Sequence, residues 1–392
     1  MITGDLDRLL APELRALGDR TLDQRAAIQA IPGKADENAA RGSLGAASPA
    51  VLSPGALGPE TASGAGITSA GTWQPAPPDS GAGPGTYATP VAFRLAGGDA
   101  AQAVRIAMTF AAALRQAEWV HSATVLGGYL TVTITPDALA ALALRITQAG
   151  PACARSAVLA GTTVPAPRDP DLASAPDWAQ ARRRLLDFIS GRLAEAAGAH
   201  ILPAHDSERQ SVPTPDPRPA AGPVADAVAF AGSGAITYAL ARIPPGAAAE
   251  PDSCRAAAHH LENPAYAVRY AHAHAASTLR QAADLGLRLE DAAEFGPQLL
   301  AHPSEQWLLD ELSWLPERVA GAARRARPDV FTRYLEGLAS AYFDCQEASP
   351  AMGPGVRADR QRIVARLWLA AAAGTALRAG LDLLGVDAPD RL

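Results

Sequence analysis

Lysine is almost missing from this 392-residue chain: Lys34 is the single one, set in a stretch of Gly, Pro, Ser and Ala. Aromatic residues make up only 5%. The three cysteines, Cys153, Cys254 and Cys345, are too far apart to form a CxxC clip and read as reduced thiols. No run of about 18 apolar residues is present to span a membrane. The first residues, MITGDLDRLLAPELRALG, alternate charges without the apolar core of a signal peptide, so a cytoplasmic protein is expected. The net charge of −6 gives the whole molecule no attraction for polyanions, although it leaves room for a local basic patch. No Gly-rich phosphate loop occurs. Ser233, in Gly-Ser-Gly, has no strand before it and is no nucleophile elbow. No carboxylate pair is marked out for acid–base work. His272 and His274 are two apart on a helix and point away from each other, so they share no metal. Neither a metal nor a cofactor is expected.

What the chain does have is an Ala/Leu/Arg-rich text, 48% hydrophobic, that favours helices. The expected fold is mostly α, with a small N-terminal α+β domain, a disordered linker and a C-terminal helical bundle. Residues 1–30 form an amphipathic helix pattern carrying Leu6, Leu9, Leu10, Leu14 and Leu17. Residues 31–85, with Trp73 as their single aromatic, cannot bury enough surface to fold and read as a flexible linker. Residues 86–150 follow the order helix 100–116, strand, Gly127-Gly128 turn, alternating strand 129–135, helix 136–148, which is a small α+β unit. Residues 151–233 are a Pro-rich connector with one helix, 178–197, and no alternating βαβ signals. Residues 234–392 read as helices throughout, the last being residues 357–380 ended by Gly380.

The stretch NPAYAVRYAHAHAASTLRQ, residues 263–281, organises this last part. Asn263 can cap a helix that has Pro264 at its first position, and no Gly or Pro interrupts it. Tyr266 and Tyr270, four apart, share a face, with Arg269, His272, His274 and Arg280 beside them. By composition alone this reads as a core-packed helix with a polar rim. The wording is more specific. It resembles the first helix of the DALR anticodon-binding domain of arginyl-tRNA synthetases, close to NPVFYVQYAHAR, with Asn263, Pro264, Val268, Tyr270, Ala271, His272 and Ala273 matching. Upstream, residues 234–242 (GAITYALAR) resemble the family's DAVRYALAR. The end of the chain, GLDLLGVDAPDRL, resembles GLxLLGVxAPERM. Residues 86–150 resemble the same family's N-terminal additional domain through Tyr87-Ala88-Thr89, Val91-Ala92 and Gly128-Tyr129-Leu130.

The resemblance implies tRNA as partner, held at its anticodon stem-loop and, through the N-terminal domain, at its outer corner. RNA loops are bound by stacking unpaired bases on aromatic and Arg planes. The implied contacts are Tyr266, Arg269, Tyr270 and His274, with Arg357, Arg360, Arg362 and Arg366 for phosphates, and Tyr129 and Thr131 at the corner. The alternatives are that Tyr129 packs in its own domain and that the arginines form a solvated face. The chain departs from the family at Ala267, Arg269, His274 and Leu392. It also lacks the two signatures by which such enzymes activate their amino acid, HxGH and a KMSK-type loop: none of its eight histidines makes HxGH, and Lys34 is no loop lysine. The reading is a catalytically inactive synthetase-like protein that binds tRNA. A protein-interaction scaffold, docking for example to a synthetase, is the alternative, and a divergent arginine–tRNA ligase the third. These 392 residues are expected to give no arginine-dependent ATP–pyrophosphate exchange. Exchange above background in a preparation free of host synthetase contradicts that reading.

Overall fold

The structure, a computed structural model, describes residues 2–29, 73–75, 83–202, 222–289, 294–352 and 360–392. The expected linker lies largely outside the described residues. Where it is described it is ordered into the fold: Trp73 is buried and its indole N–H donates to Asp7 Oδ1 at 2.7 Å. Gln74–Pro75 (β1) pairs with Thr86–Thr89 (β2). A boundary at residue 85 is therefore too late. Low aromatic content hid it, because one tryptophan suffices to anchor a short strand.

The N-terminal part opens with α1, Ile2–Gln29, whose Ile2, Leu6, Leu10 and Leu14 are buried at helical spacing. After β2 come α2 (Val91–Leu95) and α3 (Ala100–Leu114), the latter capped by Asp99, which accepts from the Gln102 amide. The hairpin β3 (Val120–Leu126) and β4 (Tyr129–Ile134) turns through Gly127 and Gly128, both at positive φ. The sheet is antiparallel in the order β1-β2-β4-β3. Tyr87, Val132 and Ala123 lie side by side on its covered face. Two short helices follow, α4 (Pro136–Ala140) and α5 (Leu142–Ala149), where the sequence suggested one.

The connector holds an element the sequence did not announce. Thr163–Pro165 (β5), Trp178–Ala196 (α6) and His200–Leu202 (β6) form a strand–helix–strand unit with the strands parallel. Three-residue strands, one ending in proline, carry no periodicity to read. The remainder is helical: α7 (Pro223–Ala231), α8 (Ser233–Arg242), α9 (Ser253–Ala257), α10 (Pro264–Asp284), α11 (Pro303–Ser313), α12 (Leu315–Arg325), α13 (Pro328–Ala348) and α14 (Arg360–Leu383). Asn263 caps α10 by accepting from the Ala265 amide, as expected. Gly380 does not end the last helix. It sits inside α14 facing Leu335 of α13, where a Cβ would collide, so its absent side chain serves packing. The helix stops instead before Gly385, whose φ of +75° suits glycine. Among the described residues no single helix is long and apolar enough to cross a membrane.

One apolar core runs from Ile2 to Val386, and the α+β part is fastened directly to the bundle. The Tyr87 hydroxyl donates to Ser313 Oγ at 2.9 Å and its ring packs on Trp314, centroids 4.9 Å apart. The Gly85 amide donates to Asp310 Oδ1 at 2.8 Å. Burial raises the pKa of the Asp310 carboxyl above its ordinary 3.8, and does the same to neighbouring Glu311 and Glu317. Between 3.8 and the raised value the native state keeps a proton that the unfolded chain releases. The stabilisation is therefore complete below 3.8 and is lost as pH rises through the folded value. Asp310→Asn, which keeps an oxygen for Gly85, is expected to flatten the fall of melting temperature across that window. A wild-type slope in the variant rules out Asp310 as a contributor.

Candidate nucleic-acid interface

The organising helix α10 presents an aromatic row, built as the sequence implied and longer than it implied. Tyr266 and Tyr270, one turn apart, stack with centroids 5.7 Å apart and planes 11° from parallel. His259, in the loop before α10, stacks on Tyr266 at 5.5 Å and 14°. Phe343 of α13 also stacks on Tyr270, at 5.8 Å and 26°. His274 closes the row, its Nδ1 2.9 Å from the Tyr342 hydroxyl and its ring 6.2 Å from Tyr270. Tyr266, Tyr270, His274 and Phe343 are all half-buried, so each is held by packing while part of its surface stays open. Burial pushes His274 below its ordinary 6.5, which leaves a neutral ring at neutral pH, and pushes the Tyr342 hydroxyl up.

The row is fixed from behind by His272, only 4% exposed. Its Nδ1 donates to the Gly374 carbonyl of α14 at 3.0 Å, and its Nε2 lies 3.2 Å from Asp390 Oδ1 in the C-terminal tail. Gly374 permits the approach: a Cβ there would stand 3.2 Å from the Ala275 Cβ. The tail is tied down further by Arg269, whose Nε donates to the Asp387 carbonyl at 3.3 Å, and by Arg280, donating to the Asp390 carbonyl at 3.0 Å. Arg269 thus stands beside the row, but part of its guanidinium is committed to the chain's own end.

The expected phosphate contacts separate into different groups. Arg357 lies outside the described residues. Arg360 and Arg362 are exposed at the start of α14. That end of α14 packs by Ile363 and Leu367 against Leu279 and Ala282, near the C-terminal end of α10. At 1.5 Å per residue the C-terminal end of α10 is about 21 Å from Tyr270. Arg366 is structural: its Nε donates to Glu305 Oε1 at 2.8 Å and its Nη1 to the Pro350 carbonyl at 3.0 Å. Glu305 is 1% exposed and also accepts from Ser349 Oγ at 2.5 Å and the His302 amide at 2.9 Å. Tyr129 and Thr131 stand on β4, in the sheet rather than the bundle. Tyr129 is 48% exposed and touches Phe93, centroids 5.2 Å apart, so it is not a core residue; Thr131 is half-buried beside it on the open face.

His259 and Phe343 are the members of the row that sequence reasoning missed. His259 enters through a loop and Phe343 through a different helix, so neither shares the periodicity of α10. The adjacent Tyr342-Phe343 pair was the one visible hint.

The C-terminal region carrying this geometry is similar to known proteins. Residues 268–392 match the DALR anticodon binding domain. A stretch of 170 residues is 38% identical to the arginine–tRNA ligase of Paenarthrobacter aurescens (strain TC1), covering 43% of this chain and 30% of that protein. Over 172 residues the identity to the arginine–tRNA ligase of Renibacterium salmoninarum is 37%, with the same coverage of each. The match thus spans about 30% of the length of these ligases. The solved arginyl-tRNA synthetase of Thermus thermophilus aligns at 20% identity and a TM-score of 0.36, covering 75% of this chain and 58% of that one.

The separation of the arginines yields a direct check. Arg366→Ala leaves Glu305 buried and uncompensated and is expected to cost about 3–5 kcal/mol of stability. Exposed Arg362→Ala is expected to stay within about 0.5 kcal/mol. Urea denaturation of both variants measures this, and a neutral Arg366→Ala overturns the structural role.

Proposed function

We propose that this chain binds tRNA, or an RNA stem-loop like it, by stacking unpaired loop bases on the row His259, Tyr266, Tyr270, Phe343 and His274, and that it does so without aminoacylating it. The observation that carries the proposal is the pair of near-parallel, half-open tyrosines on α10, the helix within which the match to the DALR anticodon binding domain begins. Aromatic faces accept any base, and each stack contributes about 1–3 kcal/mol. The neutral His274 adds a polar edge without adding charge. Arg269 supplies the nearest cation, and Arg360 a distant one that a stem phosphate can reach. Tyr129 and Thr131 on the open sheet face are the place for a second RNA contact, the elbow. The absence of HxGH and of a loop lysine from the sequence supports the non-catalytic part.

A second reading, a protein-interaction scaffold, is favoured by a specific observation. Arg269 and Arg280 each donate one hydrogen bond to the chain's own tail, and the net charge is −6. Such a surface draws little binding energy from phosphates. Filter binding with total tRNA at low and moderate salt separates the two. Tyr270→Ala is expected to weaken binding roughly 5- to 150-fold with its melting temperature nearly kept. Arg360→Ala is expected to lower the salt slope by about one. Unchanged affinity with a large loss of stability in Tyr270→Ala makes that tyrosine structural, and wild-type protein with no RNA binding leaves the scaffold.

A further inference from the structure

A cavity of about 480 Å³ lies away from the aromatic row, where the connector meets the bundle. Its walls come from the turn at Pro151–Ser156, the C-terminal end of α6 and the C-terminal end of α14. The volume falls in the range of small-molecule sites. Four charged side chains line it at its open side, Arg155, Glu195 and Asp382 exposed and Arg192 half-buried. None of the four forms an ion pair among the described residues; Arg192 instead lies over the Phe188 ring, 5.4 Å from its centroid. Two positive and two negative groups therefore surround one space without neutralising one another directly.

A fifth group is unsatisfied. Ser156 Oγ, in the wall behind them, is buried away from the open space and has no hydrogen-bond partner among the described residues. A hydroxyl in that state costs free energy unless something completes it. The backbone holds Ser156 in place: its amide donates to the Ala196 carbonyl at 2.9 Å, and Gly198, at φ +97°, passes so close that a Cβ would lie 2.8 Å from the Ser156 carbonyl oxygen. The rest of the lining is apolar, namely Ala154, Ala196, Ala379 and Leu383.

From this lining we infer that the cavity is a binding site for a free α-amino acid with an aliphatic side chain. A carboxylate fits Arg155 and Arg192, whose planar forks take it in two-point fashion. An ammonium fits Glu195 and Asp382. Both acids stand at helix C-termini, whose partial negative charge favours the same cation. A simple anion such as phosphate meets two carboxylates and two helix C-termini, and a simple cation meets two arginines. A zwitterion is the charge pattern that leaves no lining group opposed. The alanines and Leu383 leave an apolar wall for the side chain.

Isothermal titration of the full chain with leucine, leucinamide, N-acetylleucine and glutamate tests this. Saturable leucine binding is expected, weaker by roughly tenfold or more when the carboxylate is amidated or the amine acetylated, a loss of about 1.4 kcal/mol or more. The double variant Arg155→Gln, Arg192→Gln is expected to abolish it, with the circular dichroism spectrum unchanged. Asp382→Asn, a single change at an exposed position, is expected to weaken it should the double variant fail to fold. No saturable binding of leucine at millimolar concentration overturns the proposal, as does equal binding of leucine and its two blocked forms.

Discussion

The contact on which the rest depends is the approach of α10 to α14 at Gly374. With no side chain there, Ala275 meets the helix backbone and His272 reaches the Gly374 carbonyl. That one buried imidazole joins three pieces of chain: the organising helix, the last helix and, through Asp390, the tail. A polar group at this depth is tolerated because its neighbours complete it. The consequence for function lies on the opposite side of α10. Residues two positions away from His272, Tyr270 and His274, are turned outward and held rigidly against Tyr342 and Phe343. Rings with little freedom left to lose bind bases at a smaller entropic cost.

The same tie that builds the row consumes cations. Arg269 and Arg280 hold the tail by its carbonyls, and Arg366 neutralises the buried Glu305. A chain with one lysine and a net negative charge has few replacements. Affinity for RNA then rests on stacking more than on phosphate contacts. The α+β part is fastened onto α11 through Tyr87 to Ser313 and Gly85 to Asp310. The open sheet face with Tyr129 and the aromatic row are thus carried on one continuous core.

Much of this was legible in the sequence where a residue does a local job. Asn263 and Pro264 announce the start of α10, Gly127-Gly128 announces the hairpin, and the leucines of α1 announce its buried face. The three blocks of resemblance pointed to the DALR domain that comparison then matched to residues 268–392. What the sequence hid depends on partners distant in the chain. Gly380 looks like a helix terminator until Leu335 occupies the space beside it. Trp73 looks stranded in a linker until Asp7 receives its N–H. Arg366 looks like a phosphate contact until Glu305 is found behind it, and His259 and Phe343 join the row only through the fold.

The central claim, that loop bases stack on this row, is tested most directly by photo-crosslinking. A tRNA carrying 5-bromouridine in its anticodon loop, irradiated with the full chain and mapped by peptide mass, reports which side chains touch the bases. The account predicts adducts on Tyr266, Tyr270 or Phe343. Adducts confined to other surfaces, or none above a control RNA lacking an unpaired loop, contradict it.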